Sequence, residues 1–408
     1  MRNLRVPRAL RLMRLLVLTT LYPNAARPDH GIFVEARLRA LLARGGIEAR
    51  VLAPVPWFGS RHPRWGAWAE WARVPPRETR HGIELRHPRY LHLPRVGMRA
   101  QPFLLAASAL RAAMAWRREG FAFDAIDSHF VYPDGVAAWL VARWLGVPFA
   151  ITGRGTDLNL YPAIPWARRW MSRAVRDADA LATVCEALRP PLLALGADPR
   201  RARVLRNGVD LGLFRPLARD DLRARMGIDG PAIASVGHLV ARKGHDLAIA
   251  ALETLPGWTL LLAGEGPERG ALERLAAARG LSGRVRFLGR LAQEELARLY
   301  NVADVLVLAS DREGWANVLL ESMACGTPVV ATRIWGTPEV VSSPAAGLLV
   351  ARDARAIADG VRALAASPPP RAATRRHAEA FSWDATAAGL EEMFRAVIAR
   401  DGGAKAAG

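Results

Sequence analysis

The chain of 408 residues has few cysteines and no long apolar segment. Its two cysteines, Cys185 and Cys325, are too few for a disulfide framework, which favours a reducing compartment. No stretch approaches the roughly 20 apolar residues that a membrane-spanning helix requires. The apolar run behind the arginine-rich start is too short for a secretory signal and has no small-residue cleavage site, so we interpret Leu15–Thr19 as the first strand. These absences favour a cytoplasmic protein.

The sequence also has little that would hold a metal ion or a nucleic acid. The segment Asp177-Ala178-Asp179 matches an Asp-x-Asp metal motif, but it lies between a predicted helix and a strand, away from the ligand end of a sheet. No cluster of His, Asp and Glu suggests a metal site, so we expect no bound metal. Zinc-type spacings, aromatic RNA-binding motifs and a helix-turn-helix pattern are missing, which argues against nucleic acid as a partner.

Lysine is almost absent, although the formal net charge is +19. Lys243 and Lys405 are the two lysines, and arginine supplies the rest of the positive charge. The sequence is consistent with two interpretations. Abundant arginine, alanine and glycine is the composition expected of a protein from a GC-rich genome. On this interpretation the positive charge has no binding partner. A basic surface would also attract anionic lipid or phosphorylated substrates, and this would place the protein peripherally on the inner face of a membrane.

Strand and helix patterns alternate along the chain, and its length exceeds what one core usually holds. Short apolar runs separated by helical segments are typical of a parallel sheet with crossover helices. In the first half the predicted strands are Leu15–Thr19, Glu48–Ala53, Ala125–Asp127, Pro148–Thr152 and Ala180–Val184. In the second half they are Ala232–Val236, Thr259–Ala263, Val285–Leu288, Val305–Ala309, Val329–Ala331 and Gly347–Val350. The sequence therefore predicts an α/β protein with two doubly wound domains.

Residues 54–103 are rich in Pro, Trp, His and Arg and have no clean period, so we predict an irregular insertion there. Its aromatic residues are Trp57, Phe58, Trp65, Trp68 and Trp71, with arginines between and beside them. Two explanations fit this pattern. The rings either pack the domain, or they enter a lipid interface while the arginines stay at the headgroups.

The clearest chemical signal is a pair of glutamates around the start of a helix. Glu313 lies in a loop after the apolar strand, and Glu321 lies inside the helix that begins near Asn317. The free N–H groups and the positive dipole end of that helix suit a diphosphate. From one turn inside the helix, Glu321 would reach the hydroxyls of a sugar or ribose. The helix then ends at Cys325-Gly326.

This segment resembles the Glu-x7-Glu signature of the family-4 retaining glycosyltransferases. The segment Gly237-His238-Leu239…Lys243-Gly244 resembles the family's Gly-Arg-Leu…Lys-Gly motif, and Gly264-Glu265-Gly266-Pro267 resembles its Gly-x-Gly-Pro turn. In the first half, Ser128–Gly135 and Gly153–Asp157 match less closely and are most similar to bacterial exopolysaccharide and teichuronic-acid members. The resemblance implies the GT-B fold, with two Rossmann-like domains facing a central cleft and a C-terminal helix that crosses back.

The resemblance also implies a division of labour along the chain. Residues 1–206 would form the acceptor-binding domain, 207–216 a linker and 217–375 the nucleotide-sugar-binding domain. Residues 376–400 would form closing helices that return to the first domain, and 401–408 would be a disordered tail. The nucleotide-sugar would be a donor substrate, so no cofactor is expected, and without a metal-binding cluster we expect transfer to be metal-independent.

Three residues would act at the reaction centre. Lys243 would neutralise the departing diphosphate. Glu313 would orient the transferred sugar through its hydroxyls, and a covalent role as nucleophile is the alternative. His129 would bond the sugar or the acceptor. The resemblance assigns donor contacts to His238, Arg242, Gly264, Gly266, Arg290, Gly314, Trp315, Asn317, Val318 and Glu321.

His238 is the main departure from the family pattern, which has arginine as a second phosphate contact at this place. Histidine is a shorter donor that titrates near neutral pH, and Arg242 is the other candidate for the role. On the acceptor side the resemblance points to Arg154 and Asp157. Gly31 stands in a loop that replaces the family's paired glycines, and it would allow close backbone approach to the acceptor.

The sequence thus predicts a glycosyltransferase that moves a hexosyl unit from a nucleotide-sugar to a lipid-linked or oligosaccharide acceptor in bacterial cell-surface polysaccharide synthesis. A nucleotide-sugar epimerase of the same fold is the enzymatic alternative, and a non-enzymatic basic scaffold on an anionic membrane is another. An NAD-dependent oxidoreductase is excluded, because Leu21-Tyr22-Pro23 follows the first strand where Gly-x-Gly-x-x-Gly would be required.

Overall fold

The computed structural model describes residues 12–92 and 97–407, and contacts divide the chain into two units. The first unit contains residues 1–206 and 384–408, and the second contains residues 207–383. The arginine-rich start, residues 1–11, lies outside the described residues. Across the described part of the chain, no helix combines the length and the apolar character needed to cross a bilayer.

The first unit is built on a sheet of eight strands in the order β10-β9-β8-β7-β1-β2-β5-β4. Its strands are β1 Met13–Leu18, β2 Ile47–Leu52, β3 Val55–Pro56, β4 Arg77–Arg80, β5 Ile83–Arg86, β6 Arg89–Tyr90, β7 Ala125–His129, β8 Phe149–Gly153, β9 Ala180–Thr183 and β10 Ala202–Val204. Its helices are α1 Ile32–Ala43, α2 Ala67–Arg73, α3 Gln101–Arg118, α4 Val136–Leu145, α5 Thr156–Asn159, α6 Pro165–Asp177 and α7 Arg189–Leu193. Strands β3 and β6 pair separately.

The central strand β1 shows why this sheet is buried on both faces. Leu15, Leu16, Val17 and Leu18 are all buried, as a continuous apolar run in a parallel sheet requires. The strand pairs in parallel with β2 on one side and β7 on the other. The five strands that the sequence predicts in this unit are confirmed, with small differences at their ends.

The prediction of an irregular insertion at residues 54–103 is wrong. Strands β4 and β5 form an antiparallel hairpin that extends the edge of the main sheet. Strand β4 reads Arg-Glu-Thr-Arg and alternates between exposed and half-buried positions, so it carries no apolar signal. A polar strand at the solvated edge of a sheet has no alternating apolar residues, so the sequence pattern does not reveal this hairpin.

The aromatic residues of this region contact one another. The rings of Trp68 and Trp71 lie 4.8 Å apart, and Phe58 lies 5.4 Å from Trp68. Trp57 and Trp65 remain 57% and 43% exposed. Packing therefore accounts for the inner rings, whereas a contact of the two exposed tryptophans with lipid stays a prediction.

The second unit contains a parallel sheet in the order β13-β12-β11-β14-β15-β16. The strands are β11 Ala232–Val236, β12 Thr259–Ala263, β13 Val285–Gly289, β14 Val305–Leu308, β15 Val329–Thr332 and β16 Gly347–Val350. The helices are α8 Arg219–Met226, α9 His245–Ala251, α10 Arg269–Ala278, α11 Gln293–Val302, α12 Asn317–Ala324, α13 Thr337–Val340, α14 Ala354–Ala366 and α15 Arg371–Glu379. All six predicted strands are confirmed. The order reverses at β11 and β14, and ligands bind outside the carboxyl ends of strands at such a switch point.

Residues 207–216 belong to the second unit by their contacts. Arg375 of α15 donates to the carbonyl oxygens of Leu211 at 3.1 Å and Phe214 at 2.5 Å. Asn301 of α11 donates to the carbonyl oxygen of Arg215 and accepts from the N–H of Leu217, both at 2.9 Å. The buried Asn301 and the half-buried Arg375 thus attach this connecting segment to the helices of the second unit.

The last helix, α16 Trp383–Ala407, belongs to the first unit from Asp384 onward. Leu390, Met393, Phe394 and Val397 recur at helical spacing and join the core that contains β1. The predicted tail at 401–408 differs in the structure, because the helix continues to Ala407, and Gly408 lies outside the described residues. Once a helix is docked, each further residue adds a hydrogen bond without a new nucleation cost, so the two glycines of the tail do not end it.

Candidate active site

Two loops of the second unit meet at the carboxyl ends of β11 and β14 through their backbones. Gly244 has φ of 67°, and a Cβ atom there would lie 2.2 Å from the carbonyl oxygen of Ala309. The N–H of Asp311 donates to the carbonyl oxygen of Arg242 at 2.8 Å. This position therefore needs glycine, and the contact brings Lys243 beside the loop that carries Glu313.

Lys243 and Glu313 form an ion pair at this point. Lys243 Nζ lies 2.5 Å from Glu313 Oε1, and Ser310 Oγ donates to the same oxygen at 2.8 Å. Arg242 Nη1 lies 3.9 Å from it. Burial alone would raise the pKa of Glu313, but the charge and hydrogen bond of Lys243, helped by Ser310 and Arg242, hold that pKa below its ordinary value. Glu313 is therefore a carboxylate at neutral pH.

The second glutamate of the motif, Glu321, is held by a residue that the sequence analysis missed. Tyr300 Oη donates to Glu321 Oε2 at 2.8 Å, and both side chains are buried. Burial raises the pKa of Glu321 to about 7, against the lowering effect of the tyrosine hydrogen bond. Tyr300 lies near the end of α11, in an apolar pattern that indicates only a core residue. Its contact with Glu321 exists only after α11 and α12 pack together.

The start of α12 carries the other predicted donor contacts of this loop. Asn317 Oδ1 accepts from Asn207 Nδ2 at 3.3 Å, and Val318 is half-buried. Trp315 is buried, and its ring lies 5.9 Å from that of Phe381. Its Nε1 atom finds no acceptor among the described residues. Gly314 is also buried. The predicted residues thus surround the positive end of the α12 dipole.

The remaining donor candidates occupy the neighbouring strand ends. The loop with Gly264 and Gly266 lies against the loop after β11, because Leu239 N donates to the carbonyl oxygen of Glu265 at 3.0 Å. Gly264 N donates to the carbonyl oxygen of Gly289 at 2.8 Å, which places Arg290 next to this loop. His238 and Arg290 are exposed. Three successive strands therefore present their predicted residues on one edge of the sheet.

In the first unit, His129 belongs to a buried charged cluster at the end of β7. The ring is 1% exposed, and its Nδ1 atom lies 3.0 Å from Arg154 Nη2. Its Nε2 atom lies 3.6 Å from Asp127 Oδ2. Because a guanidinium only donates, Nδ1 is the acceptor and Nε2 carries the proton. Burial, followed by the charges of Arg154 and Arg37, lowers the pKa of His129 well below its ordinary value, so the ring is neutral.

This cluster gives Arg154 and His129 protein partners, and their contacts with sugar or acceptor stay predictions. Arg37 is fully buried and donates to the carbonyl oxygen of Leu205 at 3.0 Å. Burial raises the pKa of Asp127 to about 6, although Arg37 and Arg154 lower it. The sequence analysis missed Arg37 and Asp127. Arg37 sits in an arginine-rich helix where nothing distinguishes a buried arginine from a solvated one.

The two other acceptor candidates have structural roles. Asp157 is buried and accepts backbone N–H groups from Val131 at 2.7 Å and Gly155 at 2.8 Å. Gly31 has φ of 74°, and a Cβ atom there would lie 2.6 Å from the carbonyl carbon of Leu21. Both residues therefore shape loops at the carboxyl ends of β1, β7 and β8. Direct contact with an acceptor stays a prediction for each.

The described residues contain no group of three or more His, Cys, Asp or Glu side chains that could hold a metal ion. The two carboxylates of the Asp-x-Asp segment have structural partners. Asp177 accepts from Trp139 Nε1 at 2.7 Å, and Asp179 accepts from Phe149 N at 2.9 Å.

Comparisons with known proteins identify the family. The model for glycosyl transferases group 1 matches residues 219–381, and that for glycosyltransferase family 4 matches residues 33–213. The chain is 33% identical to D-inositol 3-phosphate glycosyltransferase of Mycolicibacterium paratuberculosis over 315 residues, 72% of this chain and 71% of that protein. The relative of Mycobacterium bovis is also 33% identical, over 72% of this chain and 65% of that protein.

Solved structures show the same fold. Sucrose-phosphate synthase from Thermosynechococcus elongatus has a TM-score of 0.79 at 23% identity, over 96% of this chain and all of that one. HepE of Anabaena, in complex with UDP-glucose, has a TM-score of 0.71 at 18% identity, over 94% of this chain and 99% of that one. The GT-B fold is confirmed, and the chain belongs to the group 1 glycosyltransferases and is a transferase enzyme.

Proposed function

We propose that this enzyme moves a hexosyl unit from a nucleotide-sugar to a hydroxyl acceptor with retention at the anomeric carbon. The observation that carries the proposal is the Lys243–Glu313 pair, which joins the loop after β11 to the loop before α12, the helix that contains Glu321. The pair offers an ammonium to a diphosphate and a carboxylate to sugar hydroxyls. The Anabaena neighbour was solved with UDP-glucose, which supports a donor of this class.

The residues suggest how the transfer proceeds. The donor diphosphate lies at the N-terminus of α12 and against Lys243. The bond between the anomeric carbon and the phosphate oxygen breaks, and negative charge grows on that oxygen, where Lys243 stabilises it. The acceptor oxygen attacks from the same face and gives its proton to the leaving phosphate. Products are the glycoside and the nucleoside diphosphate.

The contacts of Glu313 allow it to orient the transferred sugar, which is the role we propose. Within the described residues, the hydrogen bonds from Lys243 and Ser310 both end on Oε1. These bonds hold the carboxylate in place, and its second oxygen, Oε2, can accept a hydrogen bond from a sugar hydroxyl. Glu321, held through its own Oε2 by Tyr300, would accept from the ribose hydroxyls in the same way.

Two acceptor classes are supported by different observations. The relatives named D-inositol 3-phosphate glycosyltransferase favour an inositol phosphate. The exposed Trp57 and Trp65 and the net charge of +19 favour a lipid-linked glycan of cell-surface polysaccharide synthesis, reached by an enzyme on the cytoplasmic face of a membrane. Because the relatives match over most of the chain, we propose the inositol phosphate first.

An acceptor-dependent nucleotide-release assay tests the function. We expect the enzyme to release UDP, GDP or ADP from one of their hexose derivatives only when D-inositol 3-phosphate or a lipid-linked glycan is present. An epimerase would convert the nucleotide-sugar to its isomer without any acceptor. Binding to anionic vesicles with no turnover of any donor would instead support a membrane scaffold.

We also propose that transfer needs no divalent metal, because Lys243 can supply the positive charge beside the leaving group. Sugar transfer is therefore expected to continue at full rate in excess EDTA. The rate of product formation, measured with EDTA and again after addition of Mg²⁺ or Mn²⁺, checks this expectation. Loss of activity that either ion restores would show that a metal holds the diphosphate.

A further inference from the structure

Trp335, in the second unit, has a backbone conformation that a bulky residue rarely adopts. It lies in the loop after β15, and its φ is 39°. A residue with a Cβ atom is disfavoured in this left-handed region, and a bulky one is an outlier there. Such outliers cluster at active sites and in loops that hold ligands, where the surrounding contacts keep them in place.

The turn that contains Trp335 would suit glycine at this position. Thr337 N donates to the carbonyl oxygen of Ile334 at 2.9 Å, which makes Trp335 and Gly336 the two central residues. A positive φ at the first central position, as in type II′ turns, favours glycine. Gly336, at the second, has φ of −78° and ψ of −5°, which other residues adopt easily. The order Trp-Gly therefore puts the large side chain at the unfavourable place.

Buried hydrogen bonds hold this turn in its strained form. Thr337 Oγ1 lies 2.6 Å from the carbonyl oxygen of Thr332 and accepts from Ile334 N at 3.0 Å. Both threonines are buried. Trp335 itself is half-buried, and no aromatic ring or guanidinium of the described residues stacks on its indole. The backbone is thus fixed, while part of the side chain remains accessible to a ligand.

The same loop is attached to the loop that carries Glu313. Thr332 Oγ1 donates to the carbonyl oxygen of Ser310 at 2.7 Å. Ser310 Oγ in turn donates to Glu313 Oε1 at 2.8 Å. Because β15 pairs in parallel with β14, the two loops leave neighbouring strands at the carboxyl edge of the sheet. Trp335 follows three residues after the threonine that joins them.

The strand order separates Trp335 from the loops on the far side of the donor site. Strands β12 and β13 lead to Gly264 and Arg290, and they lie on one side of the β11–β14 pair. Strand β15 lies on the other side of that pair. Lys243, which we assign to the diphosphate, and Glu313, which we assign to the sugar, follow β11 and β14 themselves. Trp335 is therefore next to the proposed sugar contact and separated from the Gly264 loop by two strands.

We propose that Trp335 is a specificity-determining residue whose indole packs on one face of the transferred hexose. The inference rests on the proposed function and adds to it a residue that recognises the sugar of the donor. The C–H groups on a hexose face can pack against an aromatic ring, while the hydroxyls at the ring edge remain available to Glu313. The strained turn holds the indole in place before the donor binds.

Calorimetry on the full-length enzyme tests this contact with three pairs of probes: UDP and UDP-glucose, GDP and GDP-mannose, and ADP and ADP-glucose. The pair that the parent enzyme binds most tightly is used for the variants. We expect Trp335→Gly to weaken binding of the nucleotide-sugar about tenfold, the loss that removal of one aromatic contact produces. Binding of the nucleoside diphosphate alone should stay unchanged, because it lacks the sugar.

Two features of the design separate a sugar contact from a structural role. Glycine adopts a positive φ freely, so Trp335→Gly retains the turn, and its unchanged affinity for the nucleoside diphosphate reports a folded donor site. Trp335→Phe is the matched control, because it has the same backbone constraint and retains an aromatic ring. We expect this variant to keep most of the affinity for the nucleotide-sugar.

Equal weakening of the nucleotide-sugar and its nucleoside diphosphate would overturn the proposal, because Trp335 would then serve the nucleoside or the fold. Unchanged binding of both in Trp335→Gly would overturn it too, and so would a Trp335→Phe variant as weak as Trp335→Gly. If none of the six probes bound the parent enzyme, this inference and the proposed function would both be refuted. A Trp335-dependent difference within the pair, without transfer to any acceptor, would retain the sugar contact and refute only the glycosyl transfer.

Discussion

Glu313→Gln is expected to lower kcat/KM for sugar transfer at least about 100-fold, the usual loss when one positioned electrostatic contact is removed. Glutamine has nearly the same shape, but its neutral amide cannot pair with the Lys243 ammonium, which lies 2.5 Å from Oε1. Lys243 would then interact with the donor diphosphate already in the ground state. The hydroxyl groups of the transferred sugar would lose the carboxylate that accepts their hydrogen bonds. Steady-state kinetics with the true donor and acceptor measure the loss.

Glu253→Gln is the control for this substitution. Glu253 is another ion-paired glutamate of the second unit, 2.8 Å from Arg279, but its side chain is 42% exposed. Exposed pairs of this kind contribute little, so its activity and thermal stability should stay close to those of the parent enzyme. If Glu313→Gln folds and transfers sugar as fast as the control, Glu313 has no part in orienting the substrate.

Lys243→Ala is expected to lower transfer by a similar factor, at least about 100-fold, because the leaving diphosphate loses its ammonium. It should also change the pH dependence. The pKa of Glu313 is held below its ordinary value mainly by Lys243, against burial that raises it. Without the lysine, only Ser310 and Arg242 oppose the effect of burial, so the pKa of Glu313 rises. The residual activity should therefore fall at a higher pH on the acid side than that of the parent enzyme.

Stability gives an independent check on the same pair. A carboxylate whose folded pKa lies below its unfolded value of about 4.3 contributes stability above that pH, and this contribution is lost as pH falls through the folded pKa. Lys243→Ala should remove this contribution at neutral pH and lower the melting temperature, whereas Lys243→Arg retains the charge and should lose less. A Lys243→Ala protein with the parent's acid limb and melting temperature would show that the pair is not formed in solution.

The strands, and the positions at their ends of the proposed donor residues, could be predicted because they depend on local pattern. Strand β14 is an apolar run, and α12 begins after the loop that follows it. The sequence therefore places Glu313 in this loop and Glu321 in the helix. Where contacts join distant segments, the sequence carries no such signal. Tyr300 lies on α11 and Glu321 on α12, with strand β14 between the two helices in the sequence. The phenol hydroxyl contacts the carboxylate only when α11 packs against α12.

Charged residues were the hardest to interpret for the same reason. Nearly every basic residue is arginine, so Arg37 looks like its neighbours on α1 although it is buried beside Asp127 and His129. Likewise Tyr22 follows β1 in what reads as an ordinary polar loop. In the structure it joins the core that contains β1 and residues of α1, a contact that residue patterns do not show.

The attachment of residues 211–217 to α11 and α15 bears on how the second unit can be produced alone. A fragment starting at residue 217 would lack the carbonyl oxygens of Leu211, Phe214 and Arg215, which Arg375 and Asn301 bond in the whole chain. The side chains of Arg375 and Asn301 would then lose these hydrogen-bond partners and become more exposed to solvent. A fragment spanning residues 207–383 retains these bonds and the Asn207–Asn317 contact, so it is better suited to studies of the second unit in isolation.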